Sequence, residues 1–356
     1  MTKTYVITGG AGFIGSNLTR RLVAQPGARV VVLDKLTYAG NRESLTDLVL
    51  GAGSTFQLVE GDICDAPLVR EVFARNAPDV LFNLAAESHV DRSIDGPGAF
   101  VRTNVQGTFE LLDAARAAFG TMSVDKRATF RFVHVSTDEV FGSLGDTGYF
   151  DEDTRYAPNS PYAASKAAAD HLARAWFATY GLPTIVTNCS NNYGPYQYPE
   201  KLIPLVVMNA LEGKHLPVYG DGKNVRDWLW VGDHCEALTS IARRGTPGET
   251  YAIGGRQERT TLQVVEAICA VLDELVPTGA PHRRLIQMVT DRPGHDHRYA
   301  IDPKKLERTL GWKPSLTFEE GLRQTVRWYL DNRAWSESIT AGIYRRERLG
   351  LRGAAE

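Results

Sequence analysis

The sequence predicts an α/β protein: a Rossmann-type, doubly wound parallel sheet with a smaller, discontinuous C-terminal lobe for binding a substrate. Three observations carry this expectation. Short β-branched runs alternate with helix-like segments through the first half of the chain. A glycine-rich turn joins the first run to the first helix. After about Asn188 the texture changes, with turn-formers and aromatics dense in Asn191-Asn192-Tyr193-Gly194-Pro195-Tyr196-Gln197-Tyr198-Pro199. Near-continuous apolar strands separated by helices indicate a parallel sheet covered on both faces.

The first strand is Tyr5-Val6-Ile7-Thr8. The run Thr8-Gly9-Gly10-Ala11-Gly12-Phe13-Ile14-Gly15 follows it, and Gly10, Gly12 and Gly15 fit G-x-G-x-x-G. One glycine of such a turn makes the bend, another lets the backbone approach a pyrophosphate, and the last lets helix and strand pack closely. A helix over about Asn17–Ala24 would then offer free N–H groups and a partial positive charge to the phosphates. The second strand, Arg29–Leu33, ends at Asp34. A carboxylate there can accept both ribose hydroxyls and would repel a 2′-phosphate, so NAD is expected rather than NADP. Lys35 could offset part of that repulsion. The third strand, Phe56–Val59, leads to Asp62-Ile63, which either bracket an adenine or form an ordinary acidic turn. After the fourth strand, Val80–Leu84, the small residues of Leu84-Ala85-Ala86 would let the backbone pass close to the cofactor.

Phe100–Phe119 reads as one helix, with Val101, Val105, Phe109, Leu112 and Ala115 at three-to-four spacing. The next strand, Phe130–Val135, ends in Ser136-Thr137-Asp138-Glu139, and ligands in open α/β sheets bind beyond such strand ends. Ser160 caps and Pro161 opens a long helix to about Tyr180, stopped by Gly181. Tyr162 and Lys166, four residues apart in its first turns, share a helix face. A tyrosine base needs its pKa to fall from about 10 toward neutrality, a shift worth roughly 4 kcal/mol. A nearby ammonium and a nicotinamide cation are the expected source. Asp138 and Glu139 are adjacent carboxyls in what should be a crowded cleft. Their pKa values should be pushed apart into an acid and a base, the division that an elimination of water requires. Read in isolation, the pair is equally an acidic strand end with solvated charges. One more strand, Thr184–Thr187, follows.

The expected boundaries are 1–188 for an NAD-binding domain, with roughly 225–250 returning to it, then 189–330 mainly for a sugar-nucleotide lobe, and 331–356 as a tail. From Arg345-Arg346-Glu347-Arg348 onward the tail reads as a frayed, solvated end. The 356 residues, 43% hydrophobic, suffice for more than one compact unit. With 40 basic against 42 acidic residues the net charge is −2, which argues against a nucleic-acid partner. No apolar run approaches the roughly 20 residues of a membrane helix, and the opening residues lack a signal-peptide pattern, so a cytoplasmic protein without membrane contact is expected. Cys64, Cys189, Cys235 and Cys269 form no CxxC pair; they read as free thiols, and no metal site is expected.

Taken together the motifs resemble the extended short-chain dehydrogenase/reductase family, and within it the dTDP-glucose 4,6-dehydratases, from Thr8 to about Phe318. Thr8–Gly15 is similar to that family's glycine loop, Ala85–Ser93 to the block after its fourth strand, and Ser136–Val140 to its catalytic strand end. Asn188–Gln197, Pro199–Pro204 and Asp291–Asp296 are similar to its sugar-nucleotide segments. The adjacent Asp-Glu pair separates this group from similar epimerases. The resemblance implies a bound NAD that is recycled, with Thr103 among its contacts. It implies that Tyr162 takes the proton of the sugar 4-hydroxyl, that Thr137 hydrogen-bonds that oxygen, and that Lys166 holds the tyrosine and the nicotinamide ribose. Glu139 would remove the C5 proton and Asp138 would protonate the departing 6-hydroxyl, giving a 4-keto-6-deoxy sugar. It also implies nucleotide-sugar contacts at Ser88, Thr137, Asn191, Lys201, Leu202, Pro217, Tyr219, Arg226, Arg292, His295 and Tyr299, the two arginines suiting a diphosphate. A homodimer through the Phe100–Phe119 and Pro161–Tyr180 helices is implied as well. Phe141 departs from the tyrosine of many relatives, and Thr261 from the asparagine of some. A UDP-hexose 4-epimerase or a UDP-glucuronate decarboxylase would use Tyr162 and NAD without needing Asp138 as an acid. A non-catalytic NAD-binding regulator would not need the intact Thr137, Asp138, Glu139, Tyr162 and Lys166 set.

Overall fold

The computed structural model describes residues 2–291 and 295–340. Arg292 and the basic end from Arg345 lie outside the described residues. In chain order the strands are β1 (Lys3–Thr8), β2 (Ala28–Asp34), β3 (Thr55–Glu60), β4 (Val80–Asn83), β5 (Arg131–Thr137), β6 (Thr184–Cys189), β7 (Asn191–Tyr193), β8 (Leu216–Tyr219), β9 (Val225–Trp230), β10 (Thr250–Ile253), β11 (Glu258–Thr260) and β12 (Ile286–Val289).

Seven of them form one parallel sheet in the order β10-β6-β5-β4-β1-β2-β3. Strand side chains alternate between faces, and both faces are apolar here. Val6, Val31, Leu33, Leu81 and Phe132 pack on Val69, Val72 and Phe73 of the Ala66–Asn76 helix and on Leu111 and Leu112 of Thr108–Thr121. Tyr5, Ile7, Val30, Val32, Phe82 and Val133 face the opposite way, toward Leu18 and Leu22 of Phe13–Val23 and Cys235, Leu238 and Ile241 of Val231–Arg244. The doubly wound parallel sheet is as the sequence predicts. The chain leaves β1 for β2 and β3, then crosses back to β4 on the other side of β1. That reversal opens a crevice beyond the C-terminal ends of β1 and β4, where such folds hold their ligands.

A second core gathers Ile203, Val206, Val218, Trp228, Ile268 and Leu322 beside the small sheet β11-β9-β7 and the β8–β12 pair. The chain visits this lobe discontinuously. β9 belongs to its small sheet, so the segment returning to the central sheet begins at Val231, later than the expected 225, and runs through β10.

Three helices differ from expectation. The first begins at Phe13, directly off Gly12, rather than at Asn17. Phe100–Phe119 is not one α-helix. A turn at Pro97–Phe100 leads into a wide π-type segment, Val101–Gly107, before the α-helix Thr108–Thr121. The widened winding turns Asn104 inward, where its amide accepts from the Glu87 N–H (2.8 Å) and donates to the Glu87 carbonyl (3.0 Å) and the Ser165 hydroxyl (2.9 Å). Such bulges recur at functional sites. Finally, residues 333–340, expected as tail, form a helix with Ser336 and Ile339 buried. By contrast, Pro161–Tyr180 runs as the sequence predicts: the Ser160 hydroxyl accepts from the Ala163 N–H, and Gly181 ends the helix at φ +66°. No helix among the described residues is long and apolar enough to cross a membrane.

Candidate active site

The crevice is a cleft of about 1620 Å³ of empty space, counting its mouth. Its floor starts with the glycine turn. Gly9 has φ +69°, and a Cβ there would lie 2.7 Å from the Ala85 nitrogen, so only glycine fits. A Cβ on Gly15 would meet the Gly9 carbonyl at 2.1 Å. A Cβ on Gly12 would lie 3.3 Å from the Gly9 carbonyl oxygen, and the helix that Gly12 caps has no side chain on its first N–H groups. These free donors can hold an anion. Gly10 is different: it lies against the Val32 side chain, away from the cleft. The trio that faces the cleft is Gly9, Gly12 and Gly15, with Gly10 completing the motif from outside it; Phe13 and Ile14 line the same turn.

Asp34, at the end of β2, is buried. Its Oδ2 accepts from the Ala11 N–H (2.9 Å) and its Oδ1 from the Leu36 N–H (2.8 Å). Burial pushes its pKa up, and those two bonds oppose the shift. Each oxygen keeps a further lone pair for a hydroxyl. Lys35 Nζ lies 2.7 Å from Asp62 Oδ2, so its charge already has a partner and does little to offset repulsion of a 2′-phosphate. Ile63, Leu84, Ala85, Ala86 and Thr103 complete this wall. Every residue read from the sequence as a cofactor contact therefore lines one cleft, and that set suits a dinucleotide: a glycine cradle, an open helix N-terminus and a buried carboxylate at the end of β2.

The reacting groups stand on the same wall. β5 ends at Thr137, whose hydroxyl accepts from the Glu139 N–H (3.2 Å) and donates to Asp138 Oδ1 (3.3 Å). Asp138 is 2% exposed, and its Oδ2 has no hydrogen-bond partner. Burial, and next the charge of Glu139, hold its pKa well above the usual carboxylate range, against the pull of Arg226. Both effects favour the uncharged acid over the carboxylate. Glu139 lines the cleft beside it. Lys166 is buried, and its Nζ donates to the Val135 carbonyl at 2.8 Å. Burial lowers its pKa, while Asp170, one turn further on, works in the opposite direction. Tyr162 departs from expectation. Burial and then the Glu139 charge push its phenol well above 10, and only the Thr137 hydroxyl, within hydrogen-bonding reach, pulls it down. Lys166 is not among the groups that act most strongly on it.

Behind Lys166 lies a buried polar group that the sequence reading missed. Asp170 Oδ2 accepts from the Tyr156 hydroxyl (2.8 Å) and the Asn188 amide (3.1 Å), and its Oδ1 lies 3.2 Å from His134 Nε2. The i, i+4 spacing from Lys166 was its only signal. Glu87, Cys189, Asn192, Gln197 and Glu200 also line the cleft, and all five sit inside motifs already singled out.

Of the substrate candidates, Ser88, Thr137, Asn191 and Lys201 line the cleft, and Lys201 Nζ donates to the Ser88 carbonyl at 3.1 Å. Leu202, Pro217, Tyr219, Arg226, His295 and Tyr299 do not. They are carried by the lobe: Pro217 and Tyr219 pair in register with β12, Tyr219 meets the His295 ring edge-on, and Arg226 lies over the Tyr299 ring at 4.2 Å while donating to the Asp296 carbonyl. Arg226 still acts on Asp138 through its charge. Arg292 lies outside the described residues.

A family model described as GDP-mannose 4,6 dehydratase matches residues 6–325. The dTDP-glucose 4,6-dehydratase of Xanthomonas campestris pv. campestris (strain B100) is 57% identical over 349 residues, covering 98% of this chain and 99% of the relative. The chain belongs to the dTDP-glucose 4,6-dehydratase family. The Escherichia coli (strain K12) dTDP-glucose 4,6-dehydratase 1 is 55% identical, covering 95% of this chain and 96% of its own. Among solved structures, the dTDP-glucose 4,6-dehydratase DesIV from Streptomyces venezuelae, with NAD and TYD bound, superposes with a TM-score of 0.84 at 47% identity, covering 94% of this chain and 99% of that one. Family membership at this level agrees with the cleft geometry, and the cofactor is NAD.

Proposed function

We infer that the chain converts dTDP-glucose to dTDP-4-keto-6-deoxyglucose. The observation that carries this reading is Asp138: a buried carboxyl whose neutral form is favoured by burial and by the adjacent Glu139, on the wall where Tyr162 and Lys166 meet the cofactor cleft. NAD, when bound, supplies a positive charge beside Tyr162 and a place for hydride to leave the sugar C4 and return to C6. Tyr162 accepts the proton of the sugar 4-hydroxyl, and Thr137 hydrogen-bonds that oxygen. Lys166, anchored on Val135, orients the tyrosine and the nicotinamide ribose. Once C4 is a ketone the C5 proton is acidic, and Glu139 takes it. Asp138 protonates the departing 6-hydroxyl. A tyrosine base, a redox cofactor and a separate acid/base pair exceed what a simple dehydrogenase needs.

We assign cofactor binding to residues 1–188 with Val231–Ile253, and the nucleotide sugar to the lobe within 189–330. Ser88, Asn191 and Lys201 meet the substrate at the cleft. Leu202, Pro217, Tyr219, Arg226, Arg292, His295 and Tyr299 serve its nucleotide end. The chain acts as a cytoplasmic homodimer. Val101, Phe109, Phe177 and Tyr180 are large apolar side chains left exposed on the two helical segments that would meet their copies. Sedimentation showing only monomer at micromolar concentration would contradict the dimer.

Side-by-side turnover with dTDP-, UDP-, CDP- and GDP-linked hexoses tests the function. The expected product from dTDP-glucose is a base-labile 4-keto sugar that absorbs near-ultraviolet light in alkali. Formation of the galactose isomer would establish an epimerase instead, and no turnover with any sugar would favour a regulator.

A further inference from the structure

Behind the catalytic end of β5 the apolar packing of the sheet gives way to polar side chains: Asn83, His134, Asp170 and Asn188 are all buried. Their hydrogen bonds fix one another's orientation. Asn83 Oδ1 accepts from the Thr8 hydroxyl (2.7 Å), so its amide nitrogen faces the Thr108 hydroxyl (3.2 Å) and His134 Nδ1 (3.1 Å). An amide N–H at that place makes Nδ1 the acceptor and puts the imidazole proton on Nε2, 3.2 Å from Asp170 Oδ1. Asp170 Oδ2 takes the Tyr156 hydroxyl (2.8 Å) and the Asn188 amide (3.1 Å). Three donors thus face one carboxyl, and a proton on either of its oxygens would meet another donor; only the carboxylate suits them all. Burial works against a charge there, but His134, Lys166 and Tyr156 outweigh it and hold the pKa below the ordinary carboxylate value.

The partners of this carboxylate lead to the reacting groups. The Asn188 amide nitrogen that donates to Asp170 also donates to the Thr137 carbonyl (3.1 Å). Lys166, one turn earlier than Asp170 on the Pro161–Tyr180 helix, donates to the Val135 carbonyl (2.8 Å). One helix therefore holds the last four residues of β5 at three points: His134 and Thr137 by way of Asp170, and Val135 by way of Lys166. A buried charged cluster is a poor device for stability alone, since well-packed apolar residues of similar volume often serve as well or better. We propose, on the catalytic roles given above, that Asp170 is a positioning residue for the dehydration. Acting with Asn188, it sets where the Thr137-Asp138-Glu139 turn stands relative to Tyr162 and Lys166. Neither Asp170 nor Asn188 lines the cleft, so both act through β5 and not on the sugar.

Steady-state kinetics per NAD-loaded site, on the full chain with dTDP-glucose, test this. Asp170→Ala removes the hold on both His134 and Asn188. It is expected to lower kcat about tenfold or more, as a small misplacement of reacting groups does. The KM for dTDP-glucose and the amount of bound NAD should stay at their wild-type values. Tyr156→Phe breaks the one Asp170 hydrogen bond that does not lead to β5. It should keep the wild-type kcat, whatever it does to the melting temperature. If Asp170→Ala does not fold, Asn188→Ala decides, because it frees the Thr137 carbonyl and leaves Asp170 with His134 and Tyr156; the same fall in kcat is expected. A folded Asp170→Ala or Asn188→Ala chain with wild-type kcat overturns the proposal. So does a Tyr156→Phe chain whose kcat falls as far as that of Asp170→Ala, since the loss would then follow the stability of the cluster and not the hold on β5. Failure of the underlying function looks different: a wild-type chain that does not turn over dTDP-glucose at all.

Discussion

An aspartate works as an acid at neutral pH only where its anion is strongly disfavoured, and Asp138 meets that condition through burial and through Glu139. Asp138→Asn and Glu139→Gln should keep NAD, measured by absorbance of the purified protein, and lose about 10²-fold or more of dehydration, the usual share of a positioned acid or base. Lys166→Met should slow the first oxidation; unaltered hydride transfer would refute its orienting role. A separate prediction concerns pH. His234 is fully buried, its Nδ1 2.9 Å from Asn192 Oδ1, and burial pushes its pKa down to about 3. The folded chain therefore binds fewer protons than the unfolded chain between pH 3 and 6.5. Its contribution to stability is complete above that window and is lost as pH falls through it, about 2 kcal/mol by pH 5. His234→Gln, which retains a donor for Asn192, should show a smaller fall in melting temperature from pH 7 to pH 5. An identical fall would exclude His234 as the source. The chemical identities of Thr137, Asp138, Glu139, Tyr162 and Lys166 were legible in the sequence because their spacing is local. The direction of the Tyr162 shift was not, because it depends first on burial and then on a Glu139 charge, and only folding brings both to the ring. His134 and Asp170 were hidden for the same reason, since β5 and the Pro161–Tyr180 helix meet only in the fold.

At the scale of elements, local punctuation decided what could be read. Ser160, Pro161 and Gly181 mark their helix unambiguously. The Val101–Gly107 segment carries the same three-to-four spacing as an α-helix, and one widened turn leaves no trace in such a pattern. Its purpose shows in Asn104, whose three hydrogen bonds tie the Glu87 loop to the Tyr162 helix. Asn104→Ala should cost about 1–3 kcal/mol by leaving buried donors and acceptors unpaired, read by denaturant unfolding, and should loosen NAD through the displaced loop. A loss within error would mean that the neighbouring backbone finds other partners. The glycine turn was legible as a motif but not in detail. What the motif does not record is the packing: Gly9 lies against the Ala85 backbone and Gly10 against the Val32 side chain.

For the whole molecule, the alternation of strands and helices foretold the central sheet, its burial on both faces and the crevice at β1 and β4. The lobe was harder. Its strands are short, and its chain leaves for the central sheet at Val231 and comes back, a detour that composition does not record. The least legible part was the end. The Arg333–Thr340 helix joins two parts of the chain that flank the cleft: Trp335 Nε1 donates to Ser44 Oγ (3.2 Å), a few residues past the cleft-lining Thr37, Ala39 and Gly40. Ile339 packs with Tyr198 on the sugar side. Such a helix is a clasp. The expected consequence is that the residence time of the cofactor depends on a helix whose contact with Ser44 spans 291 positions of chain. A chain cut after Asn332 should keep its central sheet yet come off a sizing column stripped of NAD, and anything fused to or clipped from that end would tune how long the enzyme stays armed.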